Sequence, residues 1–130
     1  MSETVQDSTG ARVRVEHDEQ NSAFVVRDDS GEVAGRAHYL VGPGSGAEAG
    51  AGTERIMYHT EVGEEFSGRG LAKILVSHAL KESSDSMKTV VPVCPLFAER
   101  LKEHGNDFLA IGGRFRWATE ADLEYVKQNV

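Results

Sequence analysis

The run Ser67-Gly68-Arg69-Gly70-Leu71-Ala72 constrains this chain more than any other stretch. It joins two segments of different hydrophobic period. Arg55 to Val62 alternates like a strand, whereas Leu71, Ile74, Leu75, His78 and Ala79 fall at helical spacing over Leu71 to Ser83. A strand that feeds a helix through two glycines must turn tightly, and glycine does so without a Cβ penalty. The next apolar run, Met87 to Val93, completes a βαβ unit over 55–93, which predicts a parallel pair with a right-handed crossover. The same turn is a ready anion site. The first backbone N–H groups of a helix have no internal acceptor, and the helix dipole favours negative charge there. The pattern points to a phosphorylated cofactor, although an ordinary strand–turn–helix junction shares it. A Walker loop would need Gly-Lys-Ser/Thr, and a Rossmann fingerprint a third glycine. Ala72 and Lys73 follow instead.

Before the turn the chain reads as strands. Residues 1–10 are polar and predict a flexible arm. Arg12 to Glu16 alternates, Ala23 to Arg27 is apolar, and Glu32 to Val41 forms a third run, with Gly35 marking a bulge or a close backbone approach. Asp28-Asp29-Ser30-Gly31 is turn chemistry. These runs predict an antiparallel meander. The Gly/Ala-rich stretch 42–52 holds no lysine or arginine and predicts a hairpin loop rather than a phosphate cradle. In Arg55 to Val62, strict alternation would place Ile56, Tyr58, Thr60 and Val62 on one face and Met57, His59 and Glu61 on the other. After the βαβ unit, Ser83-Ser84-Asp85-Ser86 ends the first helix, and Pro95 to His104 forms a second. Trp117 to Val126 forms a last short one, with Thr119 as N-cap and Glu120 and Asp122 in its first turn.

Composition sets the class. The 130 residues suffice for one domain with a core, and a hydrophobic share of 39% with 27% charged residues is that of a globular chain. A net charge of −7 repels nucleic acid and anionic membranes, so neither is an expected partner. One cysteine excludes an intramolecular disulfide. No apolar run approaches a membrane span or a signal peptide, so a cytoplasmic location is expected. No His/Cys/Asp cluster has ligand spacing, so no metal is expected.

Cys94 and His59 are the candidates for chemistry. Cys94 precedes Pro95, which suits a first helical position, so Cys94 takes the N-cap. The electrostatics of a helix N-terminus favour a reactive thiol, but a free cysteine is also a common small buried hydrophobe. His59 carries the imidazole that exchanges protons near neutral pH, and Glu61 follows on the same face, able to orient it. A surface histidine and a solvated carboxylate fit the same positions. Pro92 lacks an N–H and weakens the ladder near its own strand end.

The glycine turn resembles the acyl-CoA signature of the GNAT superfamily of N-acetyltransferases, Q/R-x-x-G-x-G/A. Gly70 and Ala72 stand at its two small positions, and Ser67 stands where Gln or Arg is usual. His59-Thr60-Glu61-Val62, Gly68-Arg69-Gly70 and Val90-Val91-Pro92-Val93-Cys94-Pro95, with Phe97 and His104, resemble the small single-domain GNAT-like family of the YjdJ type. The likeness spans roughly residues 11 to 110 and implies an α+β (α/β) fold, a mixed sheet in which an antiparallel meander leads into a βαβ unit and a C-terminal helix. The expected division is an arm over 1–10, an acyl-CoA-binding domain over 11–112 and an extension over 113–130.

The resemblance also implies acetyl-CoA or coenzyme A as cofactor, held by Val62, Ser67, Gly68, Arg69, Gly70, Leu71, Ala72 and Lys73, in a notch between splayed strands. It puts the thioester near Cys94, as acetyl carrier or as proton donor to the leaving thiolate, with His59 as general base toward a small-molecule or protein amine. Larger members place a tyrosine in the helix after the last central strand; Leu101 and Lys102 stand there. A CoA-binding module without turnover, or a Cys/His thioester hydrolase, are the alternatives. The acceptor and the oligomeric state are not encoded in these motifs.

Overall fold

The computed structural model describes residues 2–42 and 53–130. Its strands are β1 (Ser2–Gln6), β2 (Arg12–Asp18), β3 (Ala23–Arg27), β4 (Val33–Val41), β5 (Glu54–Val62), β6 (Thr89–Pro92) and β7 (Arg114–Phe115). The helices are α1 (Leu71–Asp85), α2 (Pro95–Ala110) and α3 (Glu120–Asn129). The strands form one sheet in chain order, antiparallel from β1 to β5 and parallel from β5 to β7. The mixed sheet, with its meander followed by a βαβ unit, is the expected α+β architecture. The loop expected over 42–52 lies, beyond Gly42, outside the described residues.

The core lies between the sheet and α1 and α2. Phe24, Val26, Ala37, Tyr39, Met57 and Val90 meet Leu71, Leu75, Val76 and Ala79 of α1 and Phe97 and Leu101 of α2. Burying an aliphatic side chain such as Leu75 contributes about 1.5–3 kcal/mol, which turns the apolar stripe of α1 into a fixed helix position. Gly35 permits that approach. A Cβ there would sit 2.7 Å from the Glu61 carbonyl and 3.4 Å from Leu75 Cδ1.

Several expectations are corrected. The segment 1–10 is not a free arm: Ser2–Gln6 pairs with β2, and Asp7 to Ala11 makes a hydrogen-bonded turn. The C-terminal segment adds β7 to the sheet, too short to carry a strand pattern. Helix α1 runs through Ser83 and Ser84 to Asp85 because Ser83 is buried and its hydroxyl accepts from Arg55 Nη1 at 3.0 Å. Helix α2 runs past His104 to Ala110, and His104 sits inside it with a non-helical φ of −126°. Helix α3 starts at Glu120, with Thr119 and Asp122 forming a reciprocal capping box.

The alternation in β5 also breaks. His38 pairs with His59 but Tyr39 pairs with Met57, so Tyr58 is an extra, bulged residue. Tyr58 and His59 are therefore consecutive residues on one face, where both rings meet His38, at 6.1 and 5.9 Å. Met57 and Val62 pack on the helix side, and Thr60 joins them there.

Candidate active site

Parallel strands end on the same side of a sheet, and β5 and β6 are each followed by a helix. The N-termini of α1 and α2 therefore both stand at the carboxyl ends of these strands, where open α/β sheets bind ligands. The β5–β6 ladder ends at Met57 and Pro92. Pro92 has no N–H to extend it, and the N–H groups of Val93 and Cys94 both turn to the Met57 carbonyl, at 3.0 and 2.7 Å. β5 continues through Val62 while β6 leaves, so the two strands splay beyond that point.

The glycine turn closes one side of the splay. Gly68 and Gly70 have φ of 79° and 74°, a left-handed conformation that glycine adopts freely. Gly70 is the N-cap of α1 and offers no capping side chain. The first intrahelical bond runs from the Ile74 N–H to the Gly70 carbonyl at 3.2 Å. The N–H groups of Leu71, Ala72 and Lys73 have no acceptor within the helix. Ser67 lies exposed just before the turn, and Val62 lies half-buried at the end of β5.

Arg69 has another partner. Its Nε donates to Asp7 Oδ2 at 2.5 Å, and its guanidinium lies over the Phe66 ring. The Ser8 N–H also donates to the Arg69 carbonyl at 3.0 Å, so the turn after β1 clamps the glycine turn. The hydroxyl of Thr9, Arg69 and two backbone N–H groups hold the buried Asp7 carboxyl well below the usual carboxylate range. Lys73 and Arg100 face the space beside the glycine turn, and neither has an ion-pair partner among the described residues. With Gly70, Ala72, Val76 and Leu96 they line a 400 Å³ cleft between the first turns of α1 and α2. Glu99 and Glu103 form part of its rim.

Cys94 is the N-cap of α2, with Pro95 in the first turn, and is 4% exposed. Its Sγ lies 3.5 Å from Thr60 Oγ1. His59 stands across the strand, on the face with Glu61. The structure does not bring the Cys94 thiol and the His59 imidazole together. It places one on each side of β5.

On the His59 face, Glu61 is bracketed by two imidazoles. His38 Nε2 lies 3.0 Å from Glu61 Oε1, and His59 Nε2 lies 3.6 Å from Oε2. The two rings stack at 5.9 Å with 20° between their planes. The hydrogen bond from His38 is the largest of the effects that lower the Glu61 carboxyl from its ordinary value. With Nε2 directed at the carboxylate, Nδ1 of each ring is left to accept a proton. His38 and Thr60 were not legible as site residues. Their positions depend on the β4–β5 register and on the bulge at Tyr58, and no local sequence motif marks either.

Residues 23–109 match the family of GCN5-related N-acetyl-transferases. The chain belongs to this family. A comparison with curated proteins finds no match. Among solved structures, the chain is similar to a GCN5-like protein from Staphylococcus aureus studied by NMR. That protein is 17% identical, with 81% of this chain and 89% of the other covered and a TM-score of 0.47. The acetyltransferase chain contains, among the described residues, no group of three His, Cys, Asp or Glu able to hold a metal. None of its described helices is long and apolar enough to cross a membrane.

Proposed function

We propose that this acetyltransferase uses acetyl-CoA to acetylate a primary amine by direct transfer. The observation that carries the proposal is the splay of β5 from β6, with uncapped helix N-termini and two cations beside it that have no ion-pair partner among the described residues. The residues fit the cofactor. The N–H groups of Leu71, Ala72 and Lys73 suit a pyrophosphate, Lys73 and Arg100 supply positive charge, and the Val62 main chain suits the pantetheine amides. Acetyl-CoA supplies an acetyl group activated as a thioester.

His59 takes a proton from the acceptor ammonium through Nδ1, and Glu61 positions it. The freed nitrogen attacks the carbonyl carbon, and the C–S bond breaks. Cys94 gives its proton to the departing sulfur, with Thr60 in contact with the thiol. The nitrogen sheds two protons over the whole reaction. One balances the thiol of free coenzyme A and the other reaches solvent. The placement of His59 and Cys94 on opposite sides of β5 favours direct transfer. An acetyl group carried on Cys94 would sit on the helix side, away from the base. The same separation counts against a Cys/His hydrolase, which needs a thiol–imidazole contact.

Acetyl transfer to amines, followed by release of coenzyme A, tests the proposal. Cys94→Ala and His59→Ala should each lower kcat by about 10²-fold or more while acetyl-CoA still binds. No acetyl adduct on Cys94 should appear by mass spectrometry. Unchanged kcat in both variants would remove these roles. Binding without transfer to any amine would leave a coenzyme A module.

A further inference from the structure

We propose that the acceptor is a small zwitterion, an amine that carries a carboxylate beside it, as a free amino acid does. The inference rests on the transfer reading above and adds the class of acceptor. Its basis is a second cavity, of 250 Å³, between the start of β4 and the end of β5. Arg36 and Glu61 both line it, together with Gly35, Val62 and Gly63. The volume falls below the roughly 300–1,000 Å³ of sites for drug-sized ligands, which fits a metabolite with few heavy atoms.

Arg36 and Glu61 are direct cross-strand partners and share a face of the sheet. Opposite charges so placed ordinarily pair with each other. Here they do not. Glu61 turns both oxygens to His38 and His59, and Arg36 has no hydrogen bond or ion pair among the described residues. Arg36, without a counter-ion among the described residues, thus lines the cavity opposite Glu61, whose carboxylate is already set among imidazoles. A simple cationic amine would meet Glu61 but be repelled by Arg36. A zwitterion satisfies both. Its carboxylate accepts the forked N–H groups of Arg36, and its ammonium lies against Glu61 and His59, the group assigned to deprotonate it. Because β5 carries both Glu61 and the edge of the splay, the ammonium is held at the strand that borders the cofactor notch.

Matched pairs of acceptors that differ only in the carboxylate test this: alanine against ethylamine, and phenylalanine against phenethylamine. Full-length protein saturated with acetyl-CoA should show kcat/KM at least about tenfold higher for each amino acid. Arg36→Gln should erase that preference by raising KM for the amino acid about tenfold and lowering KM for the amine, with acetyl-CoA affinity unchanged. Arg36 is exposed, so the variant keeps the fold. Equal kcat/KM within each pair, or a preference that survives Arg36→Gln, overturns the proposal and leaves acetyl transfer intact. Weaker acetyl-CoA binding in Arg36→Gln also overturns it, because Arg36 would then serve the cofactor. A parallel NMR titration of the CoA-loaded protein reads acceptor binding without turnover. Arg36-dependent shifts in β4 and β5 with amino acids alone support the zwitterion site even if transfer fails, and absent shifts contradict it.

Discussion

In the proposed transfer, Glu61 is the residue that positions the base. Its carboxyl is lowered from the ordinary value, first by the hydrogen bond from His38 and then by its electrostatic interaction with His38 and His59. Removing that charge leaves both imidazoles in place but unoriented. Glu61→Gln should therefore lower kcat by about 10–100-fold, the range for partners that orient a reactive group, with acetyl-CoA binding unchanged by calorimetry. Unaltered kcat would show that the imidazoles need no carboxylate. Motif and strand alternation mark Cys94, His59 and Glu61 in the sequence as candidates. Arg69 was readable as a residue of the turn, but not its engagement with Asp7, 62 positions away. His38 was unreadable for the same reason: it meets Glu61 only once β4 and β5 pair.

At the scale of elements, two buried polar clusters tie distant segments together. Arg116 of the segment after β7 donates to Glu54 of β5 at 2.7 and 3.0 Å and to Asp122 of α3 at 2.8 Å through each of two nitrogens. These bonds push the guanidinium pKa up, Glu54 first, and bring the Asp122 carboxyl down to about 2. Arg116→Ala would remove the cation shared by two nearly buried carboxylates and should cost about 3–5 kcal/mol in denaturant unfolding. A loss within error would mean that the C-terminal segment is not anchored this way. The second cluster is His17, packed on Phe24 and bonded to Tyr39 Oη at 2.6 Å, with Glu82 3.3 Å away and Arg55 bonded to Glu82. Burial is the main reason the His17 imidazole sits below its ordinary 6.5. The unfolded chain then binds this proton more readily than the folded one, so His17 costs stability as pH falls below 6.5. Thermal melts should drop between pH 7.5 and 5.5, and the drop should shrink in His17→Gln. An equal drop in the variant would place the effect elsewhere. The sequence marked most of these elements by hydrophobic period. It did not mark β1 or β7, which owe their strand state to partners distant in sequence.

For the whole molecule, the parallel β5–β6 pair explains why one end of the sheet collects both helix N-termini, with the Cys94 thiol and the His59 imidazole on either side of β5. The antiparallel meander supplies the wall against which α1 packs, and the early departure of β6 at Pro92 opens the notch. This general plan was legible in the sequence because the glycine turn and the switch from period 2 to period 3.6 dictate it. The opposite placement of Cys94 and His59 was not, since one bulged residue, Tyr58, decides it.

Calorimetric titration of the full-length protein with acetyl-CoA, beside Lys73→Glu, tests the central claim most directly. The account predicts saturable binding to the wild type, weakened about tenfold or more by the charge reversal at the mouth of the α1–α2 cleft. No binding at ~1 mM ligand, or equal affinity in Lys73→Glu, would contradict it.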